Sequence, residues 1–128
     1  MSKITPFLWY DKEALEAAKL YTSLFPNSQI QGQDEFKNPE PYNSTVQIVS
    51  FSLNGLEIQA MNAGPMFKFN PSISFFVKYG TREEVDTLYN KLIEDGGALM
   101  ALGKYDWSEH YGWVVDRFGL TWQIMFQE

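Results

Sequence analysis

The chain states one pattern twice. Ile4 to Phe25 reads ITPFLWYDKEALEAAKLYTSLF, and Ile73 to Ile93 reads ISFFVKYGTREEVDTLYNKLI. With one gap, Ile4, Phe7, Leu8, Tyr10, Tyr21 and Leu24 fall on Ile73, Phe76, Val77, Tyr79, Tyr89 and Leu92. A shorter match sets Gly55-Leu56-Glu57-Ile58-Gln59-Ala60-Met61 on Gly119-Leu120-Thr121-Trp122-Gln123-Ile124-Met125. An internal repeat constrains the fold more than any composition does, because each copy is one supersecondary unit that cannot bury its hydrophobic face alone. Two strand–helix–strands units imply pairing around a shared cavity, and that cavity is where function is expected.

At 128 residues the repeat makes one domain, of two modules at about 1–64 and 71–128 joined by a linker over 63–71. Apolar residues make up 45% and aromatics 16%, enough to fill a core. The net charge of −6 argues against nucleic acid, whose phosphates need a basic surface, and against docking on anionic lipid. With no cysteine, disulfides, thiolate catalysis and cysteine-based zinc sites are excluded. No apolar run reaches the length of a membrane helix, and MSKITPF lacks a signal-peptide core. A soluble cytoplasmic protein is expected.

Lys3 to Tyr10 reads as a strand, and Asp11 to Leu24 as a helix with Ala14, Leu15, Ala18, Tyr21 and Leu24 at helical spacing and Asp11 as N-cap. Gln29 to Phe36 is a strand, and Lys37 to Asn43 a loop, since its two prolines remove ladder donors. Ser44 to Leu53 and Leu56 to Asn62 flank Asn54-Gly55, a hairpin signal. The linker, Ala63 to Pro71, reads AGPMFKFNP. Ser72 to Tyr79 is a strand. A helix runs from Thr81 or Arg82 to Glu94, opened by a Thr81/Glu84 capping box and closed by Gly96-Gly97. Leu99 to Lys104, Gly112 to Val115 and Leu120 to Phe126 complete the second copy. The order is βαβββ twice: an α+β fold, mostly antiparallel, with helices on one face.

Strand parity separates the faces. On the last strand Trp122, Ile124 and Phe126 suit a helix, whereas Thr121, Gln123 and Met125 suit a ligand. The same parity selects Glu57, Gln59 and Met61 in the first copy, Thr5, Phe7 and Trp9 on the first strand, and Ser72, Ser74 and Phe76 on the fifth. This set is aromatic with a few hydroxyls, two amides and one carboxylate, the usual make-up of a small-molecule site. The competing reading places the aromatics in the core and leaves Gln59 and Gln123 solvated.

ITPFLWYD, GPMFKFNPSISF and GWVVDRFGLTWQI resemble the PhnB-like branch of the glyoxalase, or vicinal oxygen chelate, superfamily, whose members often carry the name 3-demethylubiquinone 3-methyltransferase. The resemblance covers nearly the whole chain. It implies two βαβββ modules forming a cup, usually in a homodimer with exchanged or interlocked modules. It also implies a divalent metal held by His, Glu or Gln at equivalent strand positions, which here are Thr5, Gln59, Ser74 (by another alignment Ser72) and Gln123. Neutral amides and hydroxyls are poor ligands without carboxylate or imidazole company, so no metal cofactor is expected. S-adenosylmethionine is not expected either, because no GxGxxG turn is present.

His110, the single histidine, has a functional reading as a general base with Glu109 or Asp106, and a plain one as an exposed loop residue. Asp116-Arg117 reads as a turn ion pair. Lys68 is a candidate contact for an anionic substrate group, and Asn70 before Pro71 a turn former. Two functions follow. The first is a metal-free small-molecule binder, in which Trp9, Phe67, Phe69, Trp107 and Trp113 stack on a planar ligand and Gln59 and Gln123 anchor its polar edges, with Thr5, Phe7, Met61 and Ser74 completing the lining. The second is a superfamily-type lyase, dioxygenase or transferase with a weak metal or none, in which Glu57, Gln59 and Gln123 carry the polar chemistry. A domain whose cavity is filled by its own side chains is the plain third option.

Overall fold

The computed structural model describes residues 4–41 and 44–128. The order is β1 (Phe7–Tyr10), α1 (Ala14–Leu24), β2 (Gln29–Lys37), β3 (Thr45–Leu53), β4 (Leu56–Asn62), β5 (Ser74–Tyr79), α2 (Arg82–Leu92), β6 (Gly97–Tyr105), β7 (Ser108–Val115) and β8 (Thr121–Phe126). Two compact units result, one ending at Lys68 and the other beginning at Phe69. Each carries a four-stranded sheet, ordered β1-β4-β3-β2 in the first and β5-β8-β7-β6 in the second. β1 runs parallel to β4 and β5 to β8; the other pairs are antiparallel.

The sequence repeat is a structural repeat down to register. Phe7 pairs with Gln59, and Phe76 with Gln123. The Tyr10 carbonyl accepts from Ala63 N–H as the Tyr79 carbonyl accepts from Gln127 N–H. Asn54-Gly55 makes the expected two-residue hairpin, both residues taking positive φ (48° and 92°) between the paired Leu53 and Leu56.

Each helix covers one face of its own sheet. α1 buries Ala14, Ala17, Ala18 and Tyr21, and the Tyr21 ring lies 6.4 Å from Phe51. α2 buries Val85, Leu88, Tyr89 and Leu92 on a sheet face that contributes Val114, Trp122 and Ile124. Burying each large aliphatic chain contributes about 1.5–3 kcal/mol, an upper figure relative to an extended chain. The Tyr89 ring fits only because residue 112 is glycine; a Cβ there would lie 2.7 Å from it.

The two helix starts differ. Thr81 accepts from the Glu84 amide, as its sequence suggests. Asp11 is not the cap of α1. The helix begins three residues later, Glu13 offers no side-chain cap, and the Ala14 amide donates instead to Asn62 Oδ1 of β4 at 2.8 Å. An orphan helix amide is satisfied here across the fold, which no local pattern signals.

Other boundaries shift for identifiable reasons. β1 begins at Phe7, so Thr5 precedes the strand; Lys3, the expected start, lies outside the described residues. Within the expected Lys37–Asn43 loop, Lys37 still pairs with Thr45, whereas Tyr42 and Asn43 lie outside the described residues. α2 ends at Leu92 rather than Glu94, and the left-handed residue after it is Asp95 (φ 58°), not a glycine. Gly96 serves close approach instead: a Cβ would sit 2.0 Å from the Val115 carbonyl oxygen. Gly97 already belongs to β6. β7 starts at Ser108, which places His110 near the start of a strand, so the exposed-loop reading does not hold.

Candidate functional site

Opposite its helix, the second sheet carries a wired polar line. Tyr111 Oη donates to Gln123 Oε1 at 2.6 Å, and Gln123 Nε2 donates to Ser74 Oγ at 2.8 Å. Strand parity on β5, β8 and β7 places all three on one face. The line fixes the Gln123 amide, oxygen toward Tyr111 and nitrogen toward Ser74. Burial, and next the neighbouring Tyr105, raise the Tyr111 pKa above the ordinary tyrosine value. Its hydroxyl is therefore a proton holder and donor at neutral pH.

Trp113 lies beside this line, paired across the strands with Gln123. Its Nε1 is buried and has no hydrogen-bond partner among the described residues. A buried indole N–H without an acceptor costs about 1–3 kcal/mol, and nothing among the described residues offsets that cost for this group. Thr121, on the same face, is fully buried and donates to the Ile73 carbonyl, a structural bond that removes it from the ligand-facing set.

The equivalent face of the first sheet is less committed. Gln59, the partner of Gln123 in the repeat, sits between Phe7 and Ser50, and its side chain has no hydrogen-bond partner among the described residues. Met61 pairs with Trp9. Trp9 is pinned to the linker by two contacts: its Nε1 donates to the Gly64 carbonyl at 2.8 Å, and its ring meets Phe67 edge-on at 4.9 Å. Phe7 is 50% exposed. Glu57 is exposed and pairs with Ser52.

The remaining sequence candidates are dispersed. Phe69 belongs to the second unit, where its Cβ would lie 3.7 Å from a Cβ at Gly119. Asn70 Oδ1 accepts from the Ser72 amide, so it forms the turn, while Lys68 is exposed. His110 Nε2 lies 2.5 Å from Asp86 Oδ1 on α2, on the helix-covered side of the sheet. Its partner is neither Glu109 nor Asp106, and it is held away from the Gln123 line. Asp116 and Arg117 do not form a turn ion pair. Asp116, 2% exposed, accepts from the Phe118 and Leu120 amides and from Trp122 Nε1, while Arg117 lies 3.7 Å from Glu94.

Sequence reasoning missed Tyr111 and Tyr105. Tyr105 stacks on Trp107 (5.1 Å, 15°), and Tyr111 meets both rings edge-on. The alternation of Tyr111 with Trp113 would have placed Tyr111 on the ligand-facing side, had the strand been extended back to Ser108.

The superfamily's metal positions can be tested by their donors. Gln123 Oε1 is already used by Tyr111, and Thr5, Gln59 and Ser74 offer only neutral oxygens. Among the described residues no three His, Cys, Asp or Glu side chains gather where they could hold a metal ion. The residues at these positions do not fit a divalent metal.

Two βαβββ modules with helices on one sheet face define a glyoxalase-like protein. The chain belongs to the family described as 3-demethylubiquinone-9 3-methyltransferase, whose model matches residues 2–125. A Bacillus cereus structure described as a putative 3-demethylubiquinone-9 3-methyltransferase, PhnB protein, is 36% identical over 98% of this chain and 100% of its own, with a TM-score of 0.87. A glyoxalase-related enzyme from Fulvimarina pelagi shares the fold at 18% identity, covering 98% of this chain and 89% of its own (TM-score 0.62). So does a fosfomycin resistance protein from Listeria monocytogenes, solved with manganese(II) and 1S,2S-dihydroxypropylphosphonic acid, at 12% identity, 98% and 92% coverage and a TM-score of 0.65. No curated protein matches the chain. Among the described residues no helix is long and apolar enough to cross a membrane.

Proposed function

We propose that this protein binds a planar small molecule, without a metal, against the helix-free face of its second sheet. The observation that carries the reading is the Trp113 indole N–H, buried and unpartnered beside a fixed Gln123 amide. Such a donor suits a ligand bearing a carbonyl or carboxylate oxygen, with the aromatic side chains of this face supplying the flat contact. The family's name is not read as its chemistry. Methyl transfer is not proposed, since neither strand-to-helix turn is the glycine-rich cradle that a nucleotide-type cofactor usually takes. A homodimer and a cytoplasmic setting accompany the proposal.

The test is a tryptophan-fluorescence screen of planar aromatic carboxylates and ketones, repeated with Trp113→Phe. Native mass spectrometry, with manganese added and then withdrawn, runs beside it. The reading expects saturable binding that weakens about tenfold in Trp113→Phe, the worth of one hydrogen bond, and no retained metal. Retention of one ion per chain together with metal-dependent turnover would replace binding with enzymatic chemistry.

A further inference from the structure

The β6–β7 hairpin tip gathers a second set of aromatic and charged side chains, of which Trp113 is not a member. A cavity of about 670 Å³ opens there, and its lining includes Trp107, Lys104, Phe126 and three carboxylates, Asp106, Glu109 and Glu128. Trp107 is 54% exposed although one face of its ring stacks on Tyr105 and Tyr111 braces it edge-on. A rigidly backed indole with its other face open is a platform. Its lining carries three carboxylates against one ammonium, and Arg82 lies behind it, over the Phe126 ring at 5.3 Å. Lys104 Nζ lies 3.8 Å from Glu109 Oε2, but both side chains are mostly in water, so this pair neutralises little. Asp106 and Glu128 have no ion pair or side-chain hydrogen bond among the described residues.

We infer that this cavity binds an organic cation carrying an alkylated ammonium group. The open Trp107 face would take the cation through its ring quadrupole, and Asp106 and Glu128 would supply the complementary field. An inorganic divalent ion fits less well, because the carboxylates are not gathered into a ligating cluster. Alkylammonium groups are weakly hydrated and need no such cluster. The inference does not rest on the Trp113 indole that carries the planar-ligand reading, which is not among the residues lining this cavity.

Choline is the probe, titrated at low salt by intrinsic fluorescence and calorimetry. Its uncharged isostere 3,3-dimethylbutan-1-ol is the control. The inference expects choline to bind at least roughly tenfold tighter than the isostere, and Trp107→Ala to lose about as much. Trp107→Phe should retain most of the affinity. Asp106→Asn should weaken binding several-fold and flatten its salt dependence. Trp113→Phe should leave choline binding unchanged. Equal binding of choline and isostere overturns the inference. So does the absence of any signal into the tens of millimolar, or unchanged affinity in Trp107→Ala. If Trp107→Ala fails to fold, the isostere comparison and Asp106→Asn still decide.

Discussion

Replacing Asp116 by Asn tests how the last strand is held. Asp116 Oδ1 accepts from the Phe118 amide at 2.8 Å and the Leu120 amide at 3.1 Å, while Oδ2 accepts from Trp122 Nε1 at 2.9 Å. An asparagine has one oxygen. If that oxygen stays on the two turn amides, the new NH2 points at the indole N–H, and two donors face each other in a site where Trp122 is 1% exposed. Hydrogen bonds to a charged group contribute about 1.5–3 kcal/mol, and a buried unpaired donor costs about 1–3 kcal/mol. Because these overlap, we expect Asp116→Asn to lose about 2–4 kcal/mol in urea unfolding followed by tryptophan fluorescence and circular dichroism. Trp122→Phe removes the competing donor. In that background the same substitution should cost only about 1 kcal/mol, the difference between a charged and a neutral acceptor for the turn. A loss below about 1 kcal/mol in the otherwise native chain, or equal losses in both backgrounds, would refute the reasoning. The result bears on function because this turn sets the register that places Gln123 opposite Trp113.

Asn62→Ala should cost about 1 kcal/mol through the lost cap of α1, and Asn62→Asp should recover most of it; equal losses, read by chemical denaturation, would mean the Ala14 contact is incidental. Tyr111 and Tyr79 both have raised pKa values, each chiefly from burial, with Tyr105 adding to the first and Glu84 to the second. A raised folded-state value holds stability that is full below pH 10.0 and is lost as pH rises through the folded value, because the unfolded chain gives up the proton first. Alkaline denaturation should therefore be shallower in Tyr111→Phe, with Tyr79 left to carry the remainder; an unchanged slope in urea melts at rising pH would contradict this.

Much of the architecture was legible. The repeat identified the two modules, and period-2 alternation separated Trp122 and Ile124 from Gln123 and Met125. Asn54-Gly55 marked its hairpin, and Thr81 with Glu84 its helix start. Each of these is a signal between residues close in sequence. The candidate site was legible only in outline. Parity places Gln123 and Ser74 on one face but not their bond, and Tyr111 escapes because the sequence pattern starts the strand at Gly112.

The sequence alone determined the modules, the faces of their strands and the exclusion of cysteine chemistry, because these depend on residue type and local period. Only the tertiary structure decided which partners those residues take. Asn62 caps a helix that begins 48 positions earlier in the chain. His110 turns to Asp86 on α2 rather than to its own neighbours. Gln123 is wired on both sides, while its twin Gln59, at the same place in the repeat, has no such partner among the described residues. The physical reason is common to all three. Side-chain hydrogen bonds are made over about 3 Å, and which groups come that close is set by strand register and helix placement, not by spacing along the chain.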